Sequence, residues 1–137
     1  MKKFMIATAL LLSAGIAFGQ TLKKGNVIAI HKMDVTLAAG VTMDQYMDFM
    51  VNKNIPALNK EVEGVKFFML EGDRGDGANS VAFMVWCESL EVRNKYWPEE
   101  SGPSDEYRAI LEKVQPLMDE LNKLGTNTRV YTEWVIK

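Results

Sequence analysis

Apolar and polar positions alternate along this chain in a way that spells out six main elements and one short helical turn. From Val27 to about Leu37 the sequence is rich in Val, Ile and Thr, which favour a pleated backbone. Period-two alternation puts Val27, Ala29, His31, Met33 and Val35 on one face and Ile28, Ile30, Lys32 and Asp34 on the other. Ala38-Ala39-Gly40 ends the run. Thr42 followed by Gln45 has the spacing of a capping box, and Met43, Tyr46, Met47, Met50 and Val51 then recur at helical spacing, continued by Ile55, Leu58 and Val62. Pro56 interrupts this stripe. It has no backbone donor and its ring crowds the carbonyl of Asn52, which predicts a kink or break.

After Gly64 two short apolar runs, Val65–Glu71 and Ser80–Cys87, flank a loop holding Gly72, Gly75 and Gly77. They read as a hairpin whose glycines supply positive φ. Both faces of both strands are apolar, so this sheet is expected to be covered twice, unlike a sheet with one wet face. Ser89 caps a short helical turn that runs to Trp97 and stops at Pro98. Ser104 caps a long helix with Asp105 and Glu106 in its positive first turn. Its stripe is Tyr107, Ile110, Leu111, Val114, Leu117, Met118, Leu121 and Leu124. Pro116 predicts a bend, Gly125 a C-terminal cap, and a strand from about Thr128 to Ile136 closes the chain.

The order β-α-β-β-α-β predicts an α+β, ferredoxin-like fold: a four-stranded antiparallel sheet with two main helices on one face. The other, still apolar face calls for a cover, and a second copy packed sheet against sheet is the economical one. At this point the sequence resembles the dimeric α+β barrel superfamily over about residues 26–137. The resemblance is carried by the His31-bearing first strand, by Asn54-Ile55-Pro56-Ala57-Leu58 leading into Glu63-Gly64-Val65, and by Ser89-Leu90-Glu91 after the third strand. It implies a homodimer, with a pocket between helices and sheet in each subunit. It also implies the company of cofactor-independent mono-oxygenases, haem-degrading mono-oxygenases, polyketide cyclases and isomerases. A first-strand histidine in the stress-protein and polyketide-cyclase branch matches His31. The Asn-Trp-His set of the haem degraders has no counterpart here.

The N-terminus adds a destination. Met1-Lys2-Lys3, an apolar run from Phe4 to Leu12, and small residues at Ala17 and Gly19 are the parts of a secretory signal. Cleavage is expected between Gly19 and Gln20, leaving 20–137 as one domain in the periplasm or outside the cell. The apolar stretch is shorter than the ~20 residues a membrane-spanning helix needs, and no second such run follows. Lys2 and Lys3 leave with residues 1–19 and no acid does, so the formal charge moves from −2 to −4. That balance argues against nucleic acid, which needs clustered Lys and Arg.

Candidate chemistry is sparse. His31 is the single histidine of the chain and the natural candidate for a general base or an acceptor facing a ligand. Tyr46, at the head of the first helical stripe, and Trp86, beside Met84, are candidate walls of an apolar pocket. Trp97, Tyr107, Tyr131 and Trp134 are further aromatics that could line the same flat pocket or serve core and dimer interface, and Met43, Met47 and Met50 offer a soft wall or plain packing. Glu133 is a rim carboxylate or a partner for His31. Cys87, the one cysteine, sits in apolar company and is expected to be buried. One histidine and one cysteine do not make a zinc set, and Asp73 and Asp76 miss the calcium-loop spacing. No phosphate-binding glycine loop or nucleophile elbow is present, so no metal and no cofactor is implied. The sequence thus points to an exported dimer with a pocket for a small apolar or aromatic ligand and an open enzymatic question. The alternative is a non-catalytic structural or partner-binding envelope module.

Overall fold

The computed structural model describes residues 22–98 and 102–137. The expected signal peptide, residues 1–19, lies outside the described residues. Strand β1 is Val27–Leu37, as the alternation predicted. Helix α1, Met43–Phe49, opens on the expected capping box: the Gln45 backbone N–H donates to Thr42 Oγ1 (3.3 Å) and the Thr42 N–H to Gln45 Oε1 (2.9 Å).

Pro56 acts differently from expectation. The expected break does not occur, for the helical run is continuous from Met43 to Glu61. It passes through a π-helical segment, Met50–Asn54, and continues as α2, Ile55–Glu61. The Ile55 N–H reaches back to the Met50 carbonyl, five residues away, so the wider turn is finished before Pro56. Proline then sits in the first turn of α2, where a missing N–H costs little.

Strands β2, Val65–Glu71, and β3, Val81–Cys87, form the hairpin. Of its three loop glycines only Gly75 has positive φ (81°), and Asn79 takes the second left-handed position (62°). Ser89 caps α3, Leu90–Tyr96, and Ser104 caps α4, Asp105–Leu124. The helix continues through Pro116 without a break. Pro116 and Glu112 are both exposed, so the carbonyl that Pro116 cannot serve lies on the wet side of the helix.

Strand β4, Gly125–Val135, starts three residues earlier than predicted. Gly125 is not a left-handed cap: its φ is 167°, extended backbone open to any residue. Its requirement is steric, because a Cβ there would lie 2.7 Å from the Thr36 carbonyl oxygen. The helix ends where its last residue meets the end of β1.

All pairings are antiparallel and the strand order is β2-β3-β1-β4, the ferredoxin-like arrangement. Val27, Ala29, Met33, Val65, Phe67, Val81, Phe83, Val85 and Cys87 face inward. They pack with Tyr46, Phe49, Met50, Ile55 and Leu58 of the first helical segment and Ile110, Val114 and Leu121 of α4. The opposite face carries Ile28, Ile30, Phe68, Ala82, Met84, Trp86, Val130 and Trp134, in register across the four strands. Phe68, Val130 and Trp134 on that face are exposed, and the indole N–H of Trp86 has no hydrogen-bond partner among the described residues.

Candidate functional site

Strand β4 breaks the apolar rule of the inner face. Period two sends Asn127, Arg129, Tyr131 and Glu133 inward, opposite Val35, Met33, His31 and Ala29 of β1. A row of four polar side chains on a core-facing edge strand has to meet water, each other or a ligand. The facing wall comes from the end of α3 and the start of α4. Ser89 sets α3 so that Arg93, Trp97 and Pro98 turn toward the sheet, and Ser104 sets α4 with Tyr107 in its first turn. Between the walls lies a cavity of about 450 Å³, floored by Phe67, Phe83, Val85 and Cys87. That volume falls within the ~300–1,000 Å³ typical of small-molecule pockets.

Aromatic rings line much of it. His31 stacks on Tyr131 (centroids 4.9 Å apart, 17° between planes) and meets Phe83 edge-on at 6.1 Å. Trp97 packs on Tyr107 at 4.6 Å and edge-on to Phe67 at 6.4 Å. Charge sits at two places. At one end Arg93 Nε lies 3.5 Å from Glu133 Oε1, both side chains being mostly buried. At the other, the Arg129 guanidinium carbon lies 5.3 Å from the centre of the Phe83 ring.

These surroundings set the protonation states. Desolvation, and then the Arg129 charge, hold His31 below its usual value of 6.5, so the imidazole is neutral at pH 7 and offers a lone pair. Burial pushes the Tyr107 phenol up to about 12, against an opposing pull from Arg129. The Cys87 thiol is also pushed up to about 12, by burial first and Glu133 second, with Arg93 opposing. The cavity therefore presents a neutral acceptor, a phenol donor, a neutralised ion pair and a guanidinium, around an apolar floor.

Of His31, Tyr46 and Trp86, the structure brings only His31 to this cavity, where it is joined by Trp97, Tyr107 and Tyr131 but not Trp134. Tyr46 is fully buried in the core, and its hydroxyl accepts from Asn127 Nδ2 at 3.1 Å. Trp86 is on the wrong face. It pairs with Ile28 and Lys66 in the outward row, whereas Phe83, Val85 and Cys87 point inward. Lys32 and Lys66 belong to that same outward row, and their charges marked it in the sequence as the side away from the helices.

Glu133 pairs with Arg93 rather than with His31. Met43 and Met47 line a separate recess of about 270 Å³ with Met33, Asp34, Asp44 and Glu71, while Met50 is core. Arg93 and Arg129 are the charged members of the site that the sequence analysis did not single out. The available signal was the polar row at 127, 129, 131 and 133, spaced to share one strand face. Among the described residues no group of three His, Cys, Asp or Glu side chains is placed to hold a metal, and no helix is long and apolar enough to cross a membrane.

No protein-family model matches the sequence, and no curated protein is found to be similar to it. Solved structures similar to it include a dimeric protein of unknown function with a ferredoxin-like fold from Bacteroides fragilis. It is 14% identical, with 82% of this chain and 98% of that one covered and a TM-score of 0.46. A variant of SnoaB, a cofactor-independent oxygenase from Streptomyces nogalater, is 15% identical, covering 78% and 90%, with a TM-score of 0.41. A dimeric ferredoxin-like protein of unknown function from Thermobifida fusca is 16% identical, covering 85% and 96%, with a TM-score of 0.39. At such distances a neighbour's activity says nothing about this chain, and the chemistry rests on the cavity.

Proposed function

We propose that this protein is an exported homodimer whose helix-to-sheet cavity binds a small, flat aromatic molecule. The observation that carries the reading is the cavity of about 450 Å³ with His31 in its wall among Phe67, Phe83, Trp97, Tyr107 and Tyr131. Rings bind rings by burial and edge or stacked contacts. His31 is the polar handle: neutral at pH 7, it accepts a hydrogen bond from a ligand hydroxyl. With an acidic enough hydroxyl it takes the proton outright, the O–H bond breaking as the imidazole N–H forms. Tyr107 stays protonated and serves as a donor. The signal-like N-terminus supports export, and the exposed apolar sheet face supports a second copy as its cover.

The test is a ligand-detected NMR screen of flat phenols and quinols against the native protein and His31→Ala. Binding that falls at least tenfold in a still-folded mutant, a difference of about 1.4 kcal/mol, supports the reading. Binding indifferent to the substitution removes His31 from the site. No binder at all transfers the weight to a partner-binding role.

A further inference from the structure

Resting on that pocket reading, we infer that the ligand is an aromatic carboxylate whose acid group is held by Arg129. Two arginines line the cavity, and they differ in what they already hold. Arg93 is committed to Glu133, so that end is neutralised. Arg129 has no carboxylate partner among the described residues. Its Nε donates to Asn127 Oδ1 at 2.7 Å, and Asn127 Nδ2 donates to the hydroxyl of Tyr46, which is fully buried.

This chain of hydrogen bonds ties the inner edge of the guanidinium to the core, while the Phe83 ring lies at 5.3 Å from its centre. The two terminal amino groups remain, a planar fork with the geometry that a carboxylate matches. Such tethering fixes the fork before a ligand arrives, which lowers the ordering cost of binding. Tyr46 and Asn127 are thus positioning residues for the anchor.

The position of the anchor defines the ligand further. Arg129 pairs with Met33 on the inner face of the sheet, one inward step along β4 from Tyr131, the partner of His31. A carboxylate on Arg129 puts the attached ring against Phe83 and beside His31. Arg129 is felt across the cavity: after burial, its charge is the second cause that holds His31 down, and it opposes the larger upward push of burial on Tyr107. No carboxylate among the described residues forms an ion pair with it, so its charge is open to an anionic ligand. Arg129 is itself exposed, so this attraction is screened as salt rises.

The probes are naphthoate and its uncharged amide, titrated into the native protein, Arg129→Gln and Arg129→Lys, with Trp fluorescence as readout and circular dichroism as the check on folding. Native protein is expected to bind the acid at least tenfold tighter than the amide, and the acid's affinity alone is expected to fall as salt rises. Arg129→Gln should abolish the preference and leave amide binding within about twofold; Arg129→Lys, with the charge but no fork, should keep part of it. Equal binding of acid and amide by the native protein, or a preference that survives Arg129→Gln, overturns the anchor and leaves the pocket standing. Failure of both probes to bind overturns the anchor and the pocket together.

Discussion

His31 and Tyr131 are register partners on β1 and β4, and their rings stack at 4.9 Å with 17° between planes. The stack holds the imidazole at the sheet wall while Arg129 lies one inward step further along β4. Burial and that guanidinium both disfavour the imidazolium. Because the chain has a single histidine, its ring C–H resonances can be followed without assignment. The titration is expected below 6.5 in native protein and closer to 6.5 in Arg129→Gln, which removes the Coulombic part but not the desolvation. The sign for stability follows. The unfolded chain binds the proton more readily, so the contribution from His31 is complete above 6.5 and is lost as pH falls toward the folded value. A His31 titration unchanged by Arg129→Gln would contradict this account.

Cys87 should behave as an inert core thiol. It is buried at the end of β3, beside the Arg93–Glu133 pair, and its pKa is raised to about 12. Alkylation requires thiolate, so at about pH 8 the native protein should react with iodoacetamide at least about a thousandfold more slowly than the urea-unfolded chain. Stability should also decline as pH rises through the unfolded thiol's value of 9.0 toward about 12, where only the folded state still holds the proton. Rapid alkylation of native Cys87 would place the thiol in a far wetter setting.

The elements were legible where one local rule decided the outcome. Val27–Leu37 is a strand because of its β-branched alternation, and Thr42, Ser89 and Ser104 start helices because their hydroxyls satisfy free N–H groups. Pro56 was misjudged because its consequence depends on the turn before it, and a π segment is not visible in apolar spacing. Trp86 was misassigned for another reason. With both strand faces apolar, hydrophobicity does not say which one meets the helices, and only Lys32 and Lys66 point to the answer. The anchor arginine was hidden because Arg129 becomes a cavity residue only once β4 pairs with β1 and turns the row at 127, 129, 131 and 133 inward.

Gly125 offers a clean test of close packing. Alanine there can adopt the extended backbone, but its Cβ would meet the Thr36 carbonyl oxygen at 2.7 Å and Leu37 Cα at 3.2 Å. These are backbone atoms with no rotamer to yield. Gly125→Ala is expected to cost about 1–3 kcal/mol, read as a lower urea midpoint at unchanged slope. Thr126→Ala, at the exposed neighbour, should stay within about 0.5 kcal/mol. Equal effects from the two would remove the steric argument.

The outer sheet face makes the last prediction. Val130 is 70% and Trp134 49% exposed, Phe68 joins them, and Trp86 has its indole N–H buried without a partner among the described residues. An unmet donor under an apolar surface is costly, and large apolar side chains exposed on one face favour association even with Lys32 and Lys66 among them. A two-fold partner packed sheet to sheet addresses the exposed surface directly, and the native protein is expected to sediment as a dimer at micromolar concentration. Val130→Lys should shift it toward monomer, because two-fold packing buries each new charge. The monomer fold should survive, since Val130 has few core obligations at that exposure. Native protein that sediments as a monomer sinks the dimer. A dimer that tolerates lysine at this position would put the interface elsewhere on the molecule.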